Sequence, residues 1–288
     1  MIKTAILVFL LLFLFCQDPL YPSDTSNELF VYGGLDIFMT NGVGYQNRFI
    51  VYSGTGWSGQ QDIQYKTAPR FNIGGGFIHW FSSRLGIQVL GHYQPLRLDL
   101  KSESTHIHYT FSRWAPYYPW PEEEVDETFN SPESPSGSYK QLCFGVNMAL
   151  RFDINALSVI FAGGPCLYHI FSGELKDLYF QNSDQISRGQ IITSTALITA
   201  EMESRTQLGA NLAMRAQLSL SSGMHLFVEG RYFLSPKTDL KLNLVGVEEI
   251  YYSFHADSPE EIEPLLELKP IQLEPSFFCL CVGISILL

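Results

Sequence analysis

Charge is scarce in this chain. Only 16% of its 288 residues are charged, against about 25% in ordinary soluble domains. Bases are fewer than acids, 18 to 29, for a net charge of −11. That balance excludes a nucleic-acid binder working through a basic surface. Long apolar runs are scarce as well: beyond Cys16 no segment approaches the roughly 20 consecutive apolar residues of a spanning helix. Catalytic and phosphate-binding signatures are missing, with no G-x-S-x-G, no H-E-x-x-H, no P-loop and no paired C-x-x-C. What is abundant is apolar surface, at 46% hydrophobic and 14% aromatic residues, too rich for a disordered chain. A chain so apolar and so poor in charge is not bathed in water on every side, and without a spanning helix it crosses a bilayer only by strands.

The start reads as an address. Met1-Ile2-Lys3 supplies a positive end and Ala5 to Cys16 an unbroken apolar run, the core of a signal peptide. Residues 1–26 are therefore expected to be a signal peptide, cleaved somewhere between Cys16 and Asn27, and residues 27–288 a single barrel domain. A lipid anchor on Cys16 is the alternative, opposed by the bulky Leu14 and Phe15 before it.

Eight segments then alternate between apolar and small or polar residues: 28–40, 68–81, 85–98, 138–152, 157–171, 205–220, 224–234 and 274–288. In 138–152, Leu142, Phe144, Val146, Met148, Leu150 and Phe152 share one face, while Gln141, Cys143, Gly145, Asn147, Ala149 and Arg151 share the other. Period two over such lengths is a strand signal. The polar face holds Asn72, Gly74, Gly76, Gln88, Gln94, Ala162, Gly164, Gly283 and Ser285 rather than lysines. Small and amide side chains suit the narrow interior of a small barrel, which leaves the apolar face to lipid. Phe81, Tyr93, Phe152, Phe171 and Tyr232 fall near strand ends, where an interfacial girdle sits.

Short links near 82–84, 153–156 and 221–223 alternate strictly with long ones at 41–67, 99–137, 172–204 and 235–273. The expected fold is all-β: an eight-stranded antiparallel up-and-down transmembrane β-barrel with long extracellular loops. Alternation continues in 104–112 and 188–200, so hairpins are expected to extend beyond the bilayer, and a ten-stranded ring is the alternative. On these strands and links the chain resembles the small outer-membrane barrels of the OmpA, OmpX and OmpW type. It departs from them at Leu288, where they end in an aromatic residue, and at Pro95 and Pro165, where a bulge is expected inside a strand. The resemblance implies an outer-membrane location, periplasmic termini, outer-membrane lipid as surroundings and the barrel-assembly machinery as a partner during insertion.

Parity assigns Asp36, Arg151, Arg215, Glu229 and Arg231 to the lumen, where charges need partners. With Gly223 in a left-handed turn position, Leu220 pairs with Met224 and Arg215 falls opposite Glu229 as an ion pair. Asp36 is then expected nearest Arg231 or Arg151. If Asp153 pairs with Ala156, Cys143 falls opposite Cys166 as a cross-strand cysteine pair in an oxidising compartment. Cys279 and Cys281 read as small lumen fillers. His92 and His225 read as members of a polar packing network, and His106 and His108 as surface residues with no third metal ligand nearby. No cofactor, metal site or catalytic residue is expected.

Acid concentrates in two loops: 99–137 holds eight acids and two bases, and 235–272 holds eight acids and three bases. These loops are where an unknown ligand or partner would bind. The reading is a non-enzymatic integral outer-membrane protein with a side-chain-filled lumen, acting structurally or through its surface. The alternatives are an OmpW-like passage for small hydrophobic molecules, a lipid-modifying enzyme using the lipid-facing His79 or His169, and a soluble periplasmic barrel.

Overall fold

A computed structural model describes residues 25–38, 43–51, 57–67, 70–115, 118–186, 190–221, 223–251, 263–274 and 276–288. Residues 1–24 of the expected signal peptide, Cys16 among them, lie outside the described residues, while Ser26, its expected last residue, already belongs to the first strand. The first half of the chain forms β1 (Ser26–Phe38), β2 (Val43–Ile50), β3 (Trp57–Thr67), β4 (Arg70–Trp80), β5 (Leu85–Ala115), β6 (Tyr118–Phe129), β7 (Ser136–Ile154) and β8 (Leu157–Ile186). The second half forms β9 (Gln190–Met202), β10 (Arg205–Ser221), β11 (Met224–Leu234), β12 (Thr238–Leu240), β13 (Leu242–Tyr251), β14 (Leu266–Leu268), β15 (Ile271–Leu273) and β16 (Phe277–Leu287).

Eight of these strands close a ring. Antiparallel ladders run from β1 to β4, β5, β7, β8, β10, β11 and β16, and β16 pairs back onto β1. Closure leaves no unpaired edge, the requirement for strands in hydrocarbon. The start of β1 and the end of β16 reach the rim with the short turns, where Leu287 N–H donates to Gly223 O at 2.7 Å and Leu288 N–H to Asn27 O at 2.7 Å.

The ring is apolar outside and filled inside. Outward-facing Leu29, Val31, Phe71, Ile73, Val146, Phe161, Leu212, Val228, Val282 and Ile284 are all exposed. They form a continuous belt over strands such as the 11-residue β4 and β16, the length a tilted strand needs to cross a bilayer. Inside, Phe30, Tyr32, Ile78, Trp80, Leu90, Tyr168, Phe227, Phe233 and Phe277 pack with the lumen's polar residues.

At the long-loop end the sheet continues past the belt. β5 is 31 residues and β8 is 30, far beyond their ring pairings. The upper half of β5 pairs with β3 and β6, that of β8 with β9, and β9 with β13. β2 bridges β3 and β14. This extension has its own apolar core, including Tyr45, Phe49, Ile63, Tyr65, Leu98, Leu178, Ile198 and Leu273. The ring itself has eight strands, so the ten-stranded alternative does not hold; the extra alternating pieces lengthen hairpins above it.

Two local expectations are corrected. Pro95 pairs with Lys140 and Pro165 with Ala210 without a register shift. Both prolines point outward, and inward facing is unchanged beyond each, with Leu96 and Tyr168 buried. Each proline forfeits one ladder donor without adding a residue, so no bulge forms. The second correction concerns the β7–β8 turn. Asn155 adopts φ 57°, a conformation asparagine tolerates better than most residues, and the turn closes on Ile154 and Leu157. The expected closure on Asp153 and Ala156 is off by one residue on each side, which moves the register by two.

Candidate functional site

The lumen holds the densest polar chemistry among the described residues, and strand alternation puts it there. Glu28 and Asp36 project inward from β1, Gln88 and His92 from β5, Asn147 from β7, Asn211 and Arg215 from β10, and Glu229 and Arg231 from β11; all are at most 1% exposed. Arg215 and Glu229 are direct ladder partners, with Arg215 Nε donating to Glu229 Oε2 at 2.9 Å. Arg215 Nη1 also reaches Glu28 Oε1 at 3.5 Å. Its guanidinium lies 4.2 Å from the Phe30 ring centre and 3.9 Å from that of Phe227, so π faces cover what the carboxylates do not.

Arg231 completes the chain of charges. Its Nε donates to Glu229 Oε1 at 2.7 Å, its Nη1 to Asn211 Oδ1 at 2.5 Å and its Nη2 to Gln88 Oε1 at 3.1 Å. Asn147 links Gln88 and Asn211 at 2.8 and 3.1 Å. Glu28, Arg215, Glu229 and Arg231 therefore alternate in sign and cancel. Such a network repays desolvation only when its members are also hydrogen-bonded, and the amides supply those bonds.

Nearer the long-loop end a second cluster surrounds Asp36. Asn72 Nδ2 donates to Asp36 Oδ1 at 2.6 Å, and Gln94 Nε2 donates to Oδ2 at 2.5 Å. His92 Nε2 lies 3.3 Å from the same Oδ2, and its Nδ1 lies 3.1 Å from the Tyr32 hydroxyl. Cys279 is the ladder partner of Asp36, and its Sγ accepts from Asn72 Nδ2 at 3.3 Å.

Several sequence expectations change here. Asp36 is held by His92, Asn72 and Gln94, not by Arg231 or Arg151. Cys279 stands between Asp36 and Arg231 as ladder partner of both, and the Arg231 guanidinium turns to Glu229, Asn211 and Gln88. Arg151 stays out of the network. Its position at the short-turn rim lets Nε donate to Ser83 O at 3.0 Å while the guanidinium stacks 4.7 Å from the Trp80 ring centre. Cys143 pairs with Tyr168 and Cys166 with Gly145, so the two cysteines are diagonal rather than opposite neighbours, a direct consequence of the shifted turn; both are free thiols. Glu28 was missed, although extending the inward parity of Asp36 down β1 finds it.

The remaining described histidines are peripheral. His79 Nδ1 lies 2.9 Å from Asn27 Oδ1 and His169 Nδ1 2.9 Å from Thr206 Oγ1. His225 Nδ1 lies 3.1 Å from Ser219 Oγ at the short-turn rim. His106 and His108 face Asp126 and Glu124 across the exposed β5–β6 hairpin at 3.6 and 3.7 Å.

In the extension, Asp177 occupies a left-handed backbone position at φ 61°, where the β8–β9 register shifts. Partial burial, with Glu133 and Glu248 close by, pushes its carboxyl above the usual range. Those two glutamates come from the two acidic loops, so the loops converge on this point.

No protein-family model and no curated protein match the chain. Among solved structures, the attachment invasion locus protein Ail of Yersinia pestis is 10% identical with a TM-score of 0.33, covering 92% of this chain and 98% of its own. A major outer membrane protein of Thermus thermophilus is 9% identical with a TM-score of 0.40, covering 92% and 100%. The outer membrane protease OmpT of Escherichia coli is 9% identical with a TM-score of 0.35, covering 94% and 99%. Superpositions this loose add nothing to the assignment, which stands on the chain's own ladders, belt and lumen. By those features the chain is a small eight-stranded β-barrel of the outer-membrane type.

Proposed function

We propose that this chain is an integral outer-membrane protein that does not conduct, and that it acts through the extension its barrel carries above the bilayer. The observation that carries the reading is the ion network from Glu28 through Arg215 and Glu229 to Arg231, which occupies the lumen with side chains at most 1% exposed. An eight-stranded ring has room for its own side chains and little else. The OmpW-like passage needs an open lumen, and stacked Phe233 and Phe277, with ring centres 4.6 Å apart, stand where it would open.

The extension supplies the surface. Glu124, Asp126, Glu127 and Glu133 are exposed along β6 and the link after it, and loops 99–137 and 235–272 carry the chain's entire net charge. A partner meeting this face would be cationic or would bring divalent ions, and the barrel would serve as its anchor. Short turns and both strand ends at one rim support a periplasmic position for that rim and an exterior one for the extension.

Planar-bilayer recording on the refolded protein tests the closed lumen: no steady unitary conductance is expected, and channels of fixed size would overturn it. Protease treatment of intact cells tests the orientation. Cleavage within 99–137 or 235–272 that leaves the ring strands protected is expected; cleavage confined to the short turns would reverse the topology.

A further inference from the structure

We propose that the Asp36 cluster is a buried site for a zinc-type divalent cation, tying β1, β5 and β16 together inside the lumen. A ring nitrogen of His92, a carboxylate oxygen of Asp36 and Sγ of Cys279 all lie within 4.8 Å of one another, and all three residues are buried. Tetrahedral sites with bonds of about 2.0–2.3 Å place their ligand atoms roughly 3.3–3.8 Å apart. The 3.3 Å between His92 Nε2 and Asp36 Oδ2 already matches such an edge, and sub-ångström side-chain movements bring Sγ to the same centre. Cys281 Sγ is 2.7 Å from that of Cys279, about 1 Å closer than two sulfurs on one zinc stand, so it serves as a fourth donor only if the pair opens.

Independent observations point the same way. His92 is oriented as metal-binding histidines are, with Nε2 toward the centre and Nδ1 on the Tyr32 hydroxyl at 3.1 Å, the kind of partner that fixes ring orientation. The carboxylate is steadied by the amides of Asn72 and Gln94. The carbonyl oxygens of those two amides, on side chains at most 1% exposed, have no partner, which leaves the cluster with unused acceptors. Arg70, the ladder partner of Asp36, has a buried Nε with no partner among the described residues.

A nitrogen, an oxygen and one or two sulfurs make a borderline-soft donor set, which favours zinc over calcium or magnesium. Binding replaces the thiol proton of Cys279 with the metal and releases that proton to solvent. It also keeps the thiolate from oxidation in an exported protein. Because the centre is enclosed, the ion enters as the strands close and exchanges slowly afterwards. None of this depends on the surface role proposed above.

The test is refolding into detergent with Co²⁺ or Zn²⁺, followed by gel filtration, metal analysis and absorption spectroscopy. One metal per chain with a sulfur-to-cobalt charge-transfer band is expected. Cys279→Ser and His92→Gln should abolish it, Cys143→Ser with Cys166→Ser should retain it, and Tyr32→Phe should weaken it about 10–100-fold. Heat-modifiable gel mobility checks that each variant has folded. Should the ligand variants fail to fold, the unaltered protein still decides: Zn²⁺ added with Co²⁺ during refolding should suppress the sulfur-to-cobalt band in proportion to its share of the metal, and Cys143→Ser with Cys166→Ser should leave that competition unchanged. Less than one-tenth of a metal per chain, a band that survives Cys279→Ser, a cobalt band that zinc does not suppress, or a Cys279–Cys281 disulfide in protein taken from membranes would each overturn the site.

Discussion

At the scale of single residues, the lumen charges form one alternating chain, Glu28–Arg215–Glu229–Arg231, with Glu229 held at 2.9 Å by Arg215 and at 2.7 Å by Arg231 and the outer Glu28–Arg215 contact looser at 3.5 Å. Removing one member of a buried pair costs about 3–5 kcal/mol because the survivor stays buried, so Glu229→Gln should lower barrel stability by about that much. Charge-neutral double replacements then differ by partner. Arg215→Met with Glu229→Met strands Glu28 and Arg231, whereas Glu28→Gln with Arg215→Met leaves the 2.7 Å Glu229–Arg231 bond intact. The second double variant should be the more stable by about 3 kcal/mol. Urea unfolding in lipid vesicles measures the difference; equal stabilities would show that the four charges do not divide this way. Parity and one glycine turn suffice to place Arg215 opposite Glu229 from sequence alone. Glu28 shares the inward parity of Asp36, but its contact with Arg215 joins strands that are not ladder neighbours, and no single hairpin register specifies it. The convergence of His92 and Cys279 on Asp36 needs the register of three ladders at once, more than a single sequence specifies.

Asp177 offers a residue-scale test outside the membrane. Its carboxyl is raised by partial burial and by Glu133 and Glu248, so the folded extension holds this proton more tightly than the unfolded chain does. No penalty applies below the ordinary Asp range, and one builds as pH rises from that range through the raised value. Asp177→Asn removes the penalty and keeps a residue that accepts φ 61°. The variant should protect amides of β8 and β9 at neutral pH and flatten their acid dependence. After solvent screening the gain should stay within about 0–1 kcal/mol. Hydrogen exchange across 174–202 reads it, and unchanged protection at pH 7 would refute the repulsion.

At the scale of elements, all eight ring strands can be read from alternation, because lipid outside and a filled lumen inside enforce period two on each. The extension is only half legible. Its 104–112 and 188–200 pieces alternate, but β2 and β3 carry Gln46, Asn47, Gln61 and Asp62 among their aromatics, and that mixture does not read as a strand. Turn closure decides register, and there a left-handed Asn155 sets the ladder two residues from the expected one and puts Cys143 and Cys166 on a diagonal instead of opposite each other. Close strand approach is the other element-level constraint. A Cβ on Gly76 would lie 2.1 Å from Val89 O and 2.9 Å from Leu90 Cα, both backbone atoms, whereas one on Gly91 would meet only the Phe144 ring at 3.7 Å. Gly76→Ala should therefore cost about 1–3 kcal/mol or block insertion, while Gly91→Ala should be tolerated. Comparable folding yields for the two variants would show that the β4–β5 ladder can spread.

At the scale of the whole molecule, the chain consists of a neutral, buried network inside a lipid-facing ring and an acidic extension in water. Salt should act on these halves differently. Screening shortens the reach of exposed charges from about 30 Å at 0.01 M salt to about 10 Å at 0.1 M, yet it barely touches charges that water does not reach. In the extension, Glu133, Glu174 and Glu248 all bear on Asp177, and the loops that supply Glu133 and Glu248 carry the chain's −11. Raising salt over that range should slow hydrogen exchange in β9 and β13 and leave β11 and β16, which enclose Glu229 and Arg231, unchanged. The sign is the informative part: attraction between surface ion pairs would weaken with salt, and repulsion among like charges is relieved by it. If exchange in the ring strands changes in step with the extension, the two halves unfold as one cooperative unit and this division of the molecule is wrong.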